Sequence, residues 1–305
     1  MKLRLALCVI MGIFLSGCMS VIDRVGIAFL YKKAKLPASQ VRYNIPYEAG
    51  STNVKQQLNL FLPAGTKWPV MVFVYGGAWV AGDKDLRVGG ADVYGNIGRF
   101  YADHGIGVAV INYRLLPKVK WFDQVDDVAH AVAWVHEHIA EYGGDPHKFF
   151  IAGHSAGAQI AARVALDPKP LDKLGLSPSI FCGVITVSGA GLDMTDAKTY
   201  ELGESPKYFA GMFNTGQADW QKDASPVSYA SAAAPPFLIM YCGNEAKALK
   251  RQAQRLSDAL TRNKTPNDIL VVPGQSHARI VLTLSRPDRT AGPAILEFIK
   301  TARCH

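Results

Sequence analysis

Phe149-Phe150-Ile151-Ala152-Gly153-His154-Ser155-Ala156-Gly157-Ala158-Gln159-Ile160-Ala161-Ala162 decides how the rest of the chain is read. It begins as a short apolar run of strand type and ends in small residues suited to a closely packed helix. Between the two stands Gly-x-Ser-x-Gly, with Ser155 at its centre. This is the pattern of a strained strand-to-helix turn that lifts one serine hydroxyl out of a sheet edge. The serine occupies a backbone region costly for most residues, so its flanks must be small enough for the two elements to approach. Gly-x-Ser-x-Gly alone is common. Strand and helix flanks in the right order make Ser155 a candidate nucleophile.

Outward from this turn, strands and helices alternate. Residues 57–62 alternate in polarity, as an early antiparallel strand does. Residues 69–75, 107–113, 183–188, 237–241 and 269–272 are continuously apolar or nearly so, as strands buried on both faces of a parallel sheet are. Residues 91–104, 125–142, 246–260 and 293–302 read as helices, the second through Val128, Val132, Val135 and Ile139. The expected class is therefore α/β, a mainly parallel sheet with helices on both faces. One insertion, about 190–234, breaks the rhythm with Tyr200, Tyr208, Phe209, Phe213 and Trp220. It is expected to form a small cap over the carboxyl ends of the strands, where such sheets build their ligand sites. The alternative is a surface excursion.

A serine hydroxyl needs a base to take its proton and a third group to orient that base. His277 lies in Pro273-Gly274-Gln275-Ser276-His277, just past the last strand, and is the expected base. Five histidines precede the turn, His154 is inside it, and His305 ends the chain. Glu245 is the first carboxylate after the strand at 237–241, and is preferred as the acid over Asp193, which follows the preceding strand. Tyr75-Gly76-Gly77-Ala78-Trp79 directly follows a buried strand. Its glycines, with the N–H of Ala156, suit an oxyanion hole. His136-Glu137-His138 places its rings on different helix faces, so no zinc site is read there. Gly189-Ala190-Gly191 lacks the third glycine of a dinucleotide loop.

The chain has 305 residues, enough for one large core. Lys plus Arg exceed Asp plus Glu by 33 − 25 = 8, but the excess is dispersed and no nucleic-acid-binding signature accompanies it. No cofactor or metal is implied. Lys2 and Arg4 open a targeting segment whose apolar core, residues 3–15, is too short to span a bilayer. With Cys8 in that segment and Cys18 at its end set aside, Cys182, Cys242 and Cys304 remain. They are odd in number and without CxxC spacing, and Cys182 and Cys242 read as buried small hydrophobes. One disulfide stays open in an oxidising compartment.

Two resemblances follow from these residues. Leu15-Ser16-Gly17-Cys18 resembles the lipobox of bacterial lipoproteins. That implies removal of residues 1–17, acylation of Cys18, and a membrane-proximal linker over 18–40. It also implies a place in the cell envelope, at the outer membrane facing the periplasm. Residues 41–305 form the expected globular domain. Tyr75–Trp79, Asn112-Tyr113-Arg114-Leu115, Gly143-Gly144-Asp145-Pro146 and Gly153–Gly157 resemble the esterase/lipase branch of the α/β-hydrolase fold. That branch includes hormone-sensitive-lipase-like carboxylesterases, isoprenylcysteine methylesterases and kynurenine formamidases. The resemblance implies a serine carboxylesterase acting on short or medium acyl or aryl esters. Ser155, Glu245 and His277 would form the triad, and Gly76, Gly77 and Ala156 the oxyanion hole. An arylformamidase-like amide hydrolase and a non-catalytic envelope lipoprotein are the alternatives. Tyr75 departs from the family's usual histidine, and Glu245 from its commoner Asp.

Overall fold

The computed structural model describes residues 30–202, 206–214 and 216–304. The expected leader and Cys18 lie outside these residues. The described residues form ten strands: β1 Val41–Pro46, β2 Gln57–Phe61, β3 Trp68–Val74, β4 Arg87–Val88, β5 Ala91–Asp92, β6 Gly107–Ile111, β7 Gly144–His154, β8 Phe181–Val187, β9 Phe237–Cys242 and β10 Asn267–Val272. Eight make one sheet in the order β1-β2-β6-β3-β7-β8-β9-β10, and β4 and β5 pair as a small separate ribbon. Every pairing from β6 to β10 is parallel, whereas β1 with β2 and β2 with β6 are antiparallel.

The central strands lack polar faces because both sides are covered. All residues of β6 and β8 are buried, and β3 departs from this only at Pro69. The main helices are α1 Val93–Asp103, α2 Trp121–His138, α3 Ala156–Leu166, α4 Lys169–Asp172, α5 Pro206–Phe213, α6 Trp220–Ala224, α7 Lys247–Arg262, α8 Ile280–Thr283 and α9 Ala291–Thr301. α3 is buried along its whole length, which its run of Ala and Gly permits by letting the helix lie close to the sheet. α7 is the opposite case. Leu249, Gln252, Ala253, Leu256, Ala259 and Leu260 are buried at helical spacing, and Lys and Arg occupy the outer face.

The sheet order positions the site. β3 lies between β6 and β7, with Val74 level with Gly153. The loop after β3 and the turn after β7 therefore emerge side by side. β8 and β9 separate β7 from β10, so a residue after β10 must reach back across two strand ends to meet Ser155.

Cys182 and Cys304 are joined by a disulfide, which corrects the reading of Cys182 as a simple buried hydrophobe. The bond ties the start of β8 to the chain end over 122 residues of separation. Cys242 is a free, buried thiol, as its apolar run implied. The described part of the linker is pinned to α1: Ala34 N–H donates to Asn96 Oδ1 at 2.7 Å, and Asn96 Nδ2 donates to the Lys32 carbonyl at 2.9 Å. No helix of the described residues is long and apolar enough to cross a membrane.

Candidate active site

The turn between β7 and α3 adopts the strained geometry its glycines imply. Ser155 has φ 55° and ψ −121°, a region that costs a non-glycine residue about 1–3 kcal/mol and is kept only where the surroundings enforce it. They do so here. The Ser155 N–H donates to the Val187 carbonyl at 3.0 Å, and its own carbonyl accepts from Ala190 N–H at 3.2 Å and Ala158 N–H at 3.1 Å. Gly157 sits so close to β3 that a Cβ on it would overlap the carbonyl oxygens of Val74 and Tyr75. A Cβ on Gly76 would come within 2.9 Å of Ser155 Cβ. The loop after β3 thus rests on the serine with nothing but backbone between them. Ala156, buried, opens α3, where the first amides of a helix have no partner within it.

His277 reaches the serine. Its Nε2 is 2.9 Å from Ser155 Oγ. Glu245 lies on the other side of the ring, its side chain fully buried, with Oε2 3.6 Å from His277 Nδ1. That separation is an ion-pair distance and is too long for a hydrogen bond. Both atoms are buried without a hydrogen-bond partner among the described residues. The other carboxylate oxygen, Oε1, accepts the Cys242 N–H at 3.0 Å, which fixes the carboxyl at the end of β9. Asp193 is engaged elsewhere. It accepts from Arg255 Nε at 2.5 Å and from Thr195 N–H at 3.0 Å, and the Arg255 guanidinium also pairs with it through Nη2. Its neighbour Asp196 is bound to Arg251, whose hydrogen bond holds that carboxyl below its usual range. These two acids moor the insertion to α7.

Trp79 is the hub of the insertion's contacts. Its Nε1–H donates to Gln159 Oε1 at 2.9 Å, and its ring meets Phe213 edge-on at 5.0 Å and Phe209 at 6.0 Å. Phe213 is in turn 6.2 Å from Trp121 and 6.1 Å from Trp220. Gln159 Nε2 donates to the Ala224 carbonyl at 2.7 Å, and the Arg163 guanidinium lies 3.7 Å over the Tyr229 ring. Phe209, Phe213 and Trp220 are therefore buried against the loop after β3 and α3. Gly189-Ala190-Gly191 leads into this packing and not into a helix N-terminus, so it has no phosphate-binding geometry.

One side chain escaped the reading of the sequence. His154 is buried, its Nε2 is 3.0 Å from the His277 carbonyl oxygen, and its ring lies 4.9 Å from that of His277. Its place inside the turn was plain, but nothing local could show that its partner lies 123 residues away.

Comparison with known proteins supplies the setting for this geometry. A probable isoprenylcysteine alpha-carbonyl methylesterase of Oryza sativa is 28% identical over 298 residues, 87% of this chain and 63% of its own. A probable carboxylic ester hydrolase of Mycobacterium tuberculosis is 32% identical over 230 residues, 73% of this chain and 52% of its own. The chain thus spans between half and two-thirds of the length of these relatives. Among solved structures, an inhibited esterase B from Lactobacillus rhamnosis superposes with a TM-score of 0.74 at 20% identity, covering 99% of this chain and 96% of that one. That likeness concerns the fold, which is that of the α/β-hydrolases. The family model described as BD-FAE matches residues 58–260, a span that takes in the loop after β3, the Ser155 turn and Glu245 and stops short of His277. With two-thirds of its length under that one match, the chain belongs to the BD-FAE family.

Proposed function

We propose that this chain is a serine carboxylesterase acting on short or medium acyl or aryl esters. The observation that carries the reading is the 2.9 Å approach of His277 Nε2 to Ser155 Oγ on a strained turn beside Gly76. The esterase names of the relatives support the same class. In the first half-reaction Ser155 Oγ bonds to the ester carbonyl carbon as its proton passes to His277 Nε2. The N–H groups of Gly77 and Ala156 stabilise the oxyanion, the interaction usually worth most in acyl transfer, whereas the Gly76 N–H is turned toward the Tyr94 hydroxyl. The bond to the alcohol then breaks, and Nε2 returns the proton to the leaving oxygen. Water repeats the sequence on the acyl-enzyme: its proton goes to Nε2, its oxygen to the acyl carbon, the acyl bond to Ser155 Oγ breaks, and Nε2 returns the proton to Oγ. Glu245 faces the Nδ1–H of His277 and stabilises the imidazolium, a role in which the 3.6 Å gap closes as charge develops. The aromatic packing of Trp79 with Phe209 and Phe213 supports a preference for compact acyl or aryl groups.

Labelling by a fluorophosphonate probe, with aryl acetate hydrolysis beside it, tests the reading. The wild-type chain is expected to be labelled and active, and Ser155→Ala to lose both. Equal labelling of Ser155→Ala overturns it.

The cellular setting is proposed on separate grounds. A disulfide between Cys182 and Cys304 is the kind of bond that persists in an oxidising compartment, which supports an envelope location. Acylation at Cys18 would hold the enzyme at the outer membrane, facing the periplasm. Cys18→Ser should then yield unacylated, soluble periplasmic protein, and continued membrane attachment of that variant counts against the anchor.

A further inference from the structure

His154 immediately precedes the nucleophile and has no step in the chemistry above. Its Nε2 faces the His277 carbonyl oxygen at 3.0 Å. A carbonyl only accepts, so Nε2 carries the ring proton and donates it. Nδ1 is then a bare lone pair. It is buried without a hydrogen-bond partner among the described residues, and it faces the oxyanion-side loop, 2.9 Å from where a Gly76 Cβ would stand. One ring therefore touches both parts that must meet at Ser155, the base loop and the glycine loop. Burial, and after it the facing His277, hold the His154 pKa down to about 3, so the ring stays neutral and keeps its donor proton at neutral pH.

The base loop needs such a tie. β10 stands three strands from β7, about 14 Å at the usual strand spacing, and residues 273–277 must cover that distance. Asn244 N–H to the Gln275 carbonyl at 3.0 Å and Gly243 N–H to the Val272 carbonyl at 2.8 Å hold the loop to the β9 side. Arg279 and Ile280 N–H groups close on the Ser276 carbonyl at 3.1 Å. These bonds fix where the loop leaves the sheet. The His154 bond fixes its far end against the Ser155 turn. A displacement of about 1 Å at a catalytic group costs on the order of 100-fold in rate.

We propose that His154 is a positioning residue for the base: its Nε2–H holds the His277 backbone, and with it the imidazole, at the height of Ser155. The proposal rests on the serine-hydrolase reading of the site.

The test compares His154→Gln, whose amide N–H reaches about as far as Nε2, with His154→Asn, which carries the same amide one methylene short. Both are made in the full chain and assayed with an aryl acetate and a fluorophosphonate, with rates referred to protein shown folded by near-UV circular dichroism. The Asn variant is expected to lose about 10- to 100-fold in kcat and in labelling rate, with KM within about twofold of wild type. The Gln variant is expected to recover most of both. If the Asn variant does not fold, His154→Met, near histidine in size and without a donor, takes its place in the same comparison. Equal behaviour of the Gln variant and its shorter or donor-less counterpart overturns the proposal, as does a loss confined to KM. A wild-type chain that is labelled and active while the two variants behave alike overturns the positioning role alone. A wild-type chain that is neither labelled nor active overturns the serine-hydrolase reading and this role with it.

Discussion

Ser155 and Glu245 stand on opposite sides of the His277 ring, and the chain holds them by different means. On the serine side the turn itself is held by backbone contacts, and the His154 ring lies between it and the base loop. The turn is locked by the Val187 and Ala190 hydrogen bonds and by two glycines without room for a Cβ, and Oγ sits 2.9 Å from the base. On the acid side a side chain reaches from the end of β9, one oxygen is fixed by the Cys242 amide, and the other stops 3.6 Å from its target. Backbone-built geometry is complete before substrate arrives. On the proposed reading, side-chain geometry here is one short movement from completion, as catalytic hydrogen bonds often tighten only once substrate is bound.

The largest effect should come from breaking the acid side. Glu245→Gln keeps size and shape but removes the charge proposed to stabilise the imidazolium. A fall in kcat of about 10⁴-fold is expected, near 5.5 kcal/mol, by analogy with loss of a triad acid. Asp193→Asn should leave the rate per folded molecule nearly unchanged, because Asp193 is bound to Arg255 and Thr195. Steady-state kinetics of the two variants decide between them. Collapse in Asp193→Asn with activity retained in Glu245→Gln would reverse the assignment.

Breaking the serine side should show first as lost stability. Gly157→Ala sets two effects against each other. Alanine is the better helix former by up to about 1 kcal/mol. Its Cβ, however, must displace the Val74 and Tyr75 backbone, and overpacking against groups that cannot turn aside costs about 3 kcal/mol or more. The clash wins. Denaturant unfolding should show a destabilisation of at least about 2 kcal/mol, with labelling of the remaining folded protein slowed. A variant as stable as wild type would mean that the loop after β3 is less tightly seated than these contacts imply.

The same contrast governs what could be read in advance. The Ser155 turn was legible because its geometry admits few residue types, and the sequence spells them out. The sheet was legible from runs such as Val70–Val74 and Val108–Ile111, which only a doubly covered strand tolerates. Glu245 and His277 could be ranked by position after a strand, but no spacing rule contains the 3.6 Å between them. The Cys182–Cys304 bond and the His154–His277 contact join residues 122 and 123 apart. Such pairings are set by which strand ends the fold brings together, and Cys spacing alone does not reveal them. Gly143–Pro146 entered the reading only as part of a resemblance, and the structure begins β7 at Gly144. The pairing with β3 slips between Trp68↔Gly144 and Val70↔Phe149, and Pro146 sits in that irregular stretch, where no ladder hydrogen bond is required of it.

The smallest effect concerns Tyr75, where the family resemblance leads one to expect histidine. A histidine would brace the glycine loop through a polar ring atom; Tyr75 does so by packing. Its fully buried ring stacks on Tyr113 at 4.6 Å, and the Tyr113 hydroxyl donates to the Tyr75 carbonyl at 3.0 Å. The Tyr75 hydroxyl makes no hydrogen bond of normal geometry among the described residues. Burial, first, pushes its pKa well above the ordinary range, and the Tyr113 backbone opposes this only weakly, so the group stays neutral. Removing a buried, unsatisfied hydroxyl while keeping the ring should be neutral or stabilising, by up to about 1 kcal/mol. Tyr75→Phe is therefore expected to unfold at the same or a slightly higher temperature and to hydrolyse aryl acetates within about twofold of wild type. A tenfold loss of kcat in Tyr75→Phe would show that the hydroxyl holds the loop in the working enzyme. The serine side would then depend on a side chain as the acid side does, and the contrast between the two would fail at that point.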